Sequence, residues 1–183
     1  ERVADQVGQD LAEAQRIGNM GSWEWNINSN ALLWSDEVYR IFGFEKHISP
    51  TYSVYLGRIH PDDHETLMRA INGAVVAHVP YEIRHRIVRS DGEVRWVLAC
   101  GEVELSDQGL PVKMIGICQD ITERVKLEEE AAAQSLLLRS VLDGMYVFVG
   151  LMATDGTLID VNRAAADATG QTRDDLIGKP LWD

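Results

Sequence analysis

Apolar positions set the outline of the chain. Val3, Val7, Leu11, Ala14 and Ile17 recur at three- and four-residue steps between charged and amide residues, which predicts a helix over residues 1–17, ended by Gly18. Ser22–Ile27 is aromatic and alternating, Asn28-Ser29-Asn30 is turn chemistry, and Ala31–Trp34 predicts a second short strand. Ser35 is placed to cap a helix over Asp36–Phe42, with Asp36 and Glu37 at its positive end and Gly43 as its stop. A loop with a short helical turn is expected over 49–58. A longer helix is expected from His60-Pro61-Asp62-Asp63 to about Ala77, with Leu67, Met68, Ile71, Ala74 and Val75 as its apolar stripe.

Three strands follow. Tyr81–Arg89 turns at Ser90-Asp91-Gly92 into Glu93–Leu105, which turns at Asp107-Gln108-Gly109 into Pro111–Asp120. The order of two strands, helices, then three strands predicts an α+β fold: one antiparallel sheet with helices on one face. From Ile121 to about Leu142 the pattern is helical again. Leu127, Ala131, Gln134, Leu138, Val141 and Met145 form a short heptad seam, read either as a two-chain seam or as a connector packed on its own domain. After Asp143-Gly144, the strand–turn–strand–helix opening repeats through Lys179-Pro180.

Composition narrows the function classes. The chain has 183 residues, with 17 basic and 29 acidic side chains and a formal charge of −12. That balance argues against gripping nucleic acid or an anionic membrane face. There is no apolar run of membrane-spanning length and no signal-peptide pattern, so a cytoplasmic setting without direct membrane contact is expected. Cys100 and Cys118 sit in strand-like surroundings without a CxxC pair, which suits free thiols in a reducing compartment. No catalytic constellation appears. His60, Asp62, Asp63 and His64 look like metal ligands, yet these residue types also suit a helix N-terminus, and no metal site is expected.

The chain resembles a PAS domain of the Gly-x-Trp-x-Trp variety followed by the front half of a second. The resemblance is carried by Gly21, Trp23 and Trp25; Trp34-Ser35-Asp36-Glu37; Ile41-Phe42-Gly43-Phe44; His60-Pro61-Asp62-Asp63; Arg89 through Trp96; and Ile115-Gly116-Ile117 leading to Asp120-Ile121-Thr122-Glu123-Arg124. In the second unit it rests on Asp155-Gly156-Thr157, Asn162-Arg163-Ala164 and Leu176 through Pro180. It implies a five-stranded antiparallel sheet with helices over its concave face and flanking helices at both ends. The corresponding divisions are a flanking helix over 1–18, a PAS domain over 19–122, a connector over 123–144 and a partial PAS domain over 145–183.

By analogy, the chain would be a non-enzymatic sensory and dimerisation module of a bacterial signalling protein. It would form a homodimer through its flanking helices and relay a signal through Asp120, Ile121 and Thr122 to an output domain, as in histidine kinases or diguanylate cyclases. The rivals are a ligand-free structural adaptor and a flavin or haem redox sensor. No cofactor is expected, though an unknown small ligand fits the reading. The light-sensitive flavin subclass needs an Asn-Cys-Arg motif, where this chain has Leu56-Gly57-Arg58. Candidate pocket residues are Trp23, Trp25, Trp34, Leu67, Ile71, Ala74, Val97, Ala99, Met114, Gly116 and Cys118. Strand alternation, taken with the orientation the resemblance implies, places Trp96 and Leu98 on the outer face. Together with Val7, Leu11, Leu127 and Leu138 they are candidates for helix and dimer packing, with Trp96 expected under a flanking helix.

Overall fold

The computed structural model describes residues 2–46 and 48–180. They form two compact units, one through Val125 and one from Lys126 onward.

The first unit opens with α1 (Arg2–Ile17), then β1 (Met20–Asn26), β2 (Leu32–Trp34) and α2 (Asp36–Phe42). After α3 (Tyr52–Leu56) comes a single 3-10 turn at Pro61–Asp63, leading into α4 (His64–Ala77). The strands β3 (Tyr81–Val88), β4 (Val94–Leu105) and β5 (Pro111–Asp120) close the unit, and α5 (Thr122–Asp143) begins in it. The sheet order is β2-β1-β5-β4-β3, antiparallel throughout. The first and last strands of the unit, β1 and β5, therefore lie side by side in its interior.

Alternation along β3 shows why the sheet has one buried face. Tyr81, Ile83, His85 and Ile87 are buried, while Glu82 and Arg84 are exposed and Arg86 half-buried. The inward rows meet α2 through Val38, Ile41 and Phe42, and α4 through Leu67, Ile71 and Ala74. Asp91-Gly92 turns β3 into β4: Gly92 takes a positive φ of 86°, and the Asp91 carboxylate accepts the Glu93 N–H at 2.9 Å.

Several local expectations shift. Ser35 stands at the N-cap of α2, yet its hydroxyl does not cap the helix and instead accepts the Ser22 N–H at 3.0 Å, tying β1 to the helix start. The helix expected from Pro61 begins as a 3-10 turn before becoming α-helical at His64. The strand expected over 147–152 is regular only in β6 (Gly150–Met152).

The second unit holds most of α5 with β6, β7 (Leu158–Val161), α6 (Arg163–Thr169) and α7 (Arg173–Leu176). Its buried nucleus is small: Leu158, Val161 and Ala166, with Ala165 and Leu176 against them. Polar groups organise the rest. The Asn162 carboxamide donates to the Leu142 and Val147 carbonyls and accepts N–H groups from Val149 and Ala165. Asp160 accepts from both Arg139 at 2.8 Å and Arg173 at 2.7 Å, which hold its carboxyl down at about 2 against the opposing effect of burial.

Candidate functional site

The inner face of the first unit's sheet lines a partly open cavity of about 50 Å³. Its walls are mostly rings. Trp25 of β1 stacks on Tyr52 of α3, with centroids 4.6 Å apart and planes 11° from parallel. Trp34 of β2 packs against Phe42 of α2 at 4.9 Å. Trp23 lies across the sheet and meets Tyr81 of β3 edge-on at 6.1 Å. It crosses above Gly116 and Gly101, paired neighbours on β5 and β4, whose missing side chains leave it room.

A cluster of polar groups interrupts this lining. The Tyr55 hydroxyl of α3 lies 3.4 Å from His85 Nε2, and it also interacts with the Tyr81 hydroxyl. Burial raises both phenols well above their ordinary range, so both stay protonated. Burial pushes His85 the other way, from 6.5 to about 4, with Asp63 offsetting a smaller part, so the imidazole is neutral at neutral pH. The Cys118 thiol is pushed up to about 12, chiefly by burial, and is no nucleophile. The buried Trp25 Nε1 on the cavity lining has no hydrogen-bond partner, which typically costs about 1–3 kcal/mol.

A second polar constellation sits where β5 passes into α5. Asp120 Oδ1 accepts the Thr122 N–H at 2.9 Å and the Thr122 hydroxyl at 2.6 Å, while Oδ2 holds Arg95 of β4 at 2.7 Å. Thr122 Oγ1 in turn accepts the Trp96 N–H at 3.0 Å, and the Ile121 N–H donates to the Trp96 carbonyl. Burial alone would raise the Asp120 carboxyl, but the Thr122 bonds and the Arg95 guanidinium outweigh it and hold the group below its ordinary value. On the other side of Trp96, the Arg86 guanidinium lies over the indole at 5.5 Å and forks onto Asp63, just ahead of α4. Asp63, Arg86, Trp96, Thr122 and Asp120 thus form one connected run from the start of α4 to the start of α5.

Residues 31–118 match the family model described as PAS fold, and residues 143–183 match one described as PAS domain. The chain belongs to the PAS family. Similar proteins include the probable diguanylate cyclase DgcE of Escherichia coli, 25% identical over 99% of this chain and 16% of its own length. The sensor protein FixL of Bradyrhizobium diazoefficiens is 26% identical over 72% of this chain and 27% of its own length. A sensory box histidine kinase/response regulator from Burkholderia thailandensis has a solved structure that superposes with a TM-score of 0.61. It is 26% identical, covering 71% of this chain and 98% of that one. The chain therefore spans only about a sixth to a quarter of these two curated relatives.

Within the PAS unit, the pocket candidates from the sequence divide. Trp23, Trp25, Trp34, Ile71, Ala99, Met114 and Cys118 line the cavity. Leu67, Ala74 and Val97 are fully buried but packed in the surrounding core, outside the lining. Gly116 offers no ligand space, because a Cβ there would come within 2.5 Å of the Trp23 ring. The alternation argument did not single out Tyr52, Tyr55, Tyr81 or His85. The signal for His85 was its parity with Ile83 and Ile87 on β3.

Trp96 and Leu98 are half-buried on the outer face, as strand parity requires. α1 packs on β1 and α2, and the Arg86 guanidinium lies over the Trp96 ring. Leu127 and Leu138 of α5 are exposed, and the side chains of Val7 and Leu11 lie outside the described residues. Ile121 is buried. Asp63, one of the metal-like residues, is engaged by Arg86, and the described residues contain no group of three or more His, Cys, Asp or Glu able to hold a metal ion. None of the helices among them is long and apolar enough to cross a membrane. Cys100 and Cys118 are free: Cys100 pairs with Ile117 and Ala99 with Cys118, so the two thiols project from opposite faces.

Proposed function

We propose that this chain is the sensory and dimerisation part of a larger signalling protein, in which rearrangement of the PAS core is relayed through the β5–α5 junction to an output domain of the histidine kinase or diguanylate cyclase class. The observation that carries this is the double engagement of Asp120. One carboxylate holds both β4, through Arg95, and the first turn of α5, through Thr122, so displacement of the central strands loads the helix directly. The names of the similar proteins support the class of output. The exposed Leu127, Leu138 and Val141 on α5 support pairing with a second copy along that helix.

A flavin or haem sensor fits these residues poorly. The cavity is about a third of the roughly 150 Å³ that accommodates benzene, and Trp23 and Trp25 fill the strand where a large ring would lie.

The relay is tested in the intact protein that carries this segment. Ala99→Val narrows the cavity, and the readouts are output activity and amide exchange at Thr122. Both should change, and Asp120→Asn should uncouple the output change from the core substitution. Unchanged output and unchanged Thr122 exchange in a folded Ala99→Val protein would overturn the reading.

A further inference from the structure

We infer that the PAS core of this chain takes one neutral molecule of only a few heavy atoms that carries a hydrogen-bond acceptor, of the carboxamide or alcohol class, seated against the Trp25 indole N–H. The inference deepens the sensory reading and rests on it.

Three independent features define the class. The first is the unpaired donor. An indole nitrogen only donates, and Trp25 is buried to nine-tenths with Nε1 unpartnered on a ring that lines the cavity. An occupant therefore has to bring an acceptor. The neighbouring Tyr55–His85 contact is long at 3.4 Å, so the same occupant finds an exchangeable second partner.

The second feature is charge. None of the lining residues carries a charge at neutral pH: they are aromatic or aliphatic apart from the tyrosine hydroxyls, the Cys118 thiol and His85, which burial keeps neutral. A carboxylate or phosphate would lose its hydration without gaining a cation. An ammonium would meet no carboxylate.

The third feature is volume. About 50 Å³ exceeds what one water needs by several fold, yet is about a third of the space that holds a benzene ring. Three or four heavy atoms fit without reopening the stack.

The test uses formamide and formate, which share a size and differ in charge, titrated into the isotope-labelled chain and read at the Trp25 indole N–H resonance. Formamide should shift this resonance saturably and slow exchange of the indole proton; formate should do neither. Trp25→Phe, with the Trp96 indole resonance unchanged as evidence of folding, should weaken formamide binding about tenfold or more, as read at the His85 ring. The indole-exchange measurement on the native chain needs no variant. Equal responses to both probes, or no response to formamide, would overturn the inference, the second outcome marking the cavity as a site for water alone. The Thr122 amide separates this from the relay reading. If Trp25 responds while Thr122 stays fixed, the ligand class stands and the relay falls. If Trp25 is silent, the ligand class falls and the relay is decided by Ala99→Val.

Discussion

Gly116 stands opposite Trp23 in the β1–β5 ladder, and the indole occupies the volume a side chain at 116 would require. A Cβ at that glycine would come to 2.0 Å from the Cys100 carbonyl and 2.5 Å from Trp23 Cζ2. Because the nearer obstacle is backbone, rotation of Trp23 cannot relieve it. Gly116→Ala should lower stability by about 2–4 kcal/mol in chemical denaturation. Adding Trp23→Leu should restore only a minor part. A tolerated Gly116→Ala would show that the ring does not lie where described.

The β5–α5 junction predicts a graded series. Asp120→Ala removes the acceptor for Thr122 and one of the two carboxylates that Arg95 binds, and should cost about 1–3 kcal/mol with faster exchange of the Thr122 amide. Asp120→Asn keeps an acceptor for the helix start and loses only the ion pair, so its exchange rate should lie between the two. Equal exchange in both variants would mean that Arg95, not Thr122, anchors the helix.

Stability should fall in two stages as pH drops. His85 has a folded-state value of about 4 against 6.5, so the unfolded chain binds a proton more readily. Its contribution is intact above about 6.5, declines as pH falls toward 4, and amounts to at most roughly 3 kcal/mol. Asp63 and Asp120 are depressed carboxyls, so their contribution is present above the ordinary carboxylate range and is lost as pH falls below it. Replacing His85 by Gln should flatten the denaturation midpoint between pH 7 and 5 and leave the more acidic stage in place. A slope unchanged by His85→Gln would place the proton uptake elsewhere.

Association through α5 predicts that sedimentation detects a dimer, and that Leu138→Lys weakens it by about tenfold or more without altering the PAS core. A monomer at every concentration would remove the two-chain seam.

Much of this fold was legible because its period changes cleanly along the chain. The β3–β4–β5 set was marked by alternation and Asp-Gly turns; the same period put Val97 and Ala99 on one face of β4 and Met114 and Cys118 on one face of β5, and the family resemblance made those faces inward. The junction residues were legible because capping chemistry is local: Asp120 and Thr122 are two residues apart. The cavity lining was less so. Tyr52 and Tyr55 lie on a five-residue helix too short to show a period, and their approach to Trp25 and His85 depends on how the loop folds back over the sheet. Strand parity also indicates which face Gly116 belongs to, but not that a tryptophan from the next strand lies down over it. Arg86 on Trp96 joins two strands whose register has to be known before the contact can be drawn.

The placement of the two thiols on opposite sides of one sheet has a practical corollary. Cys118 is sealed within, whereas Cys100 looks outward and is half-accessible, so a maleimide probe in native buffer should attach once and denaturant should reveal a second equivalent. The unaltered sequence thus supplies a single spectroscopic handle on the convex side of the domain, through which approach of any macromolecule to that side would be visible as quenching.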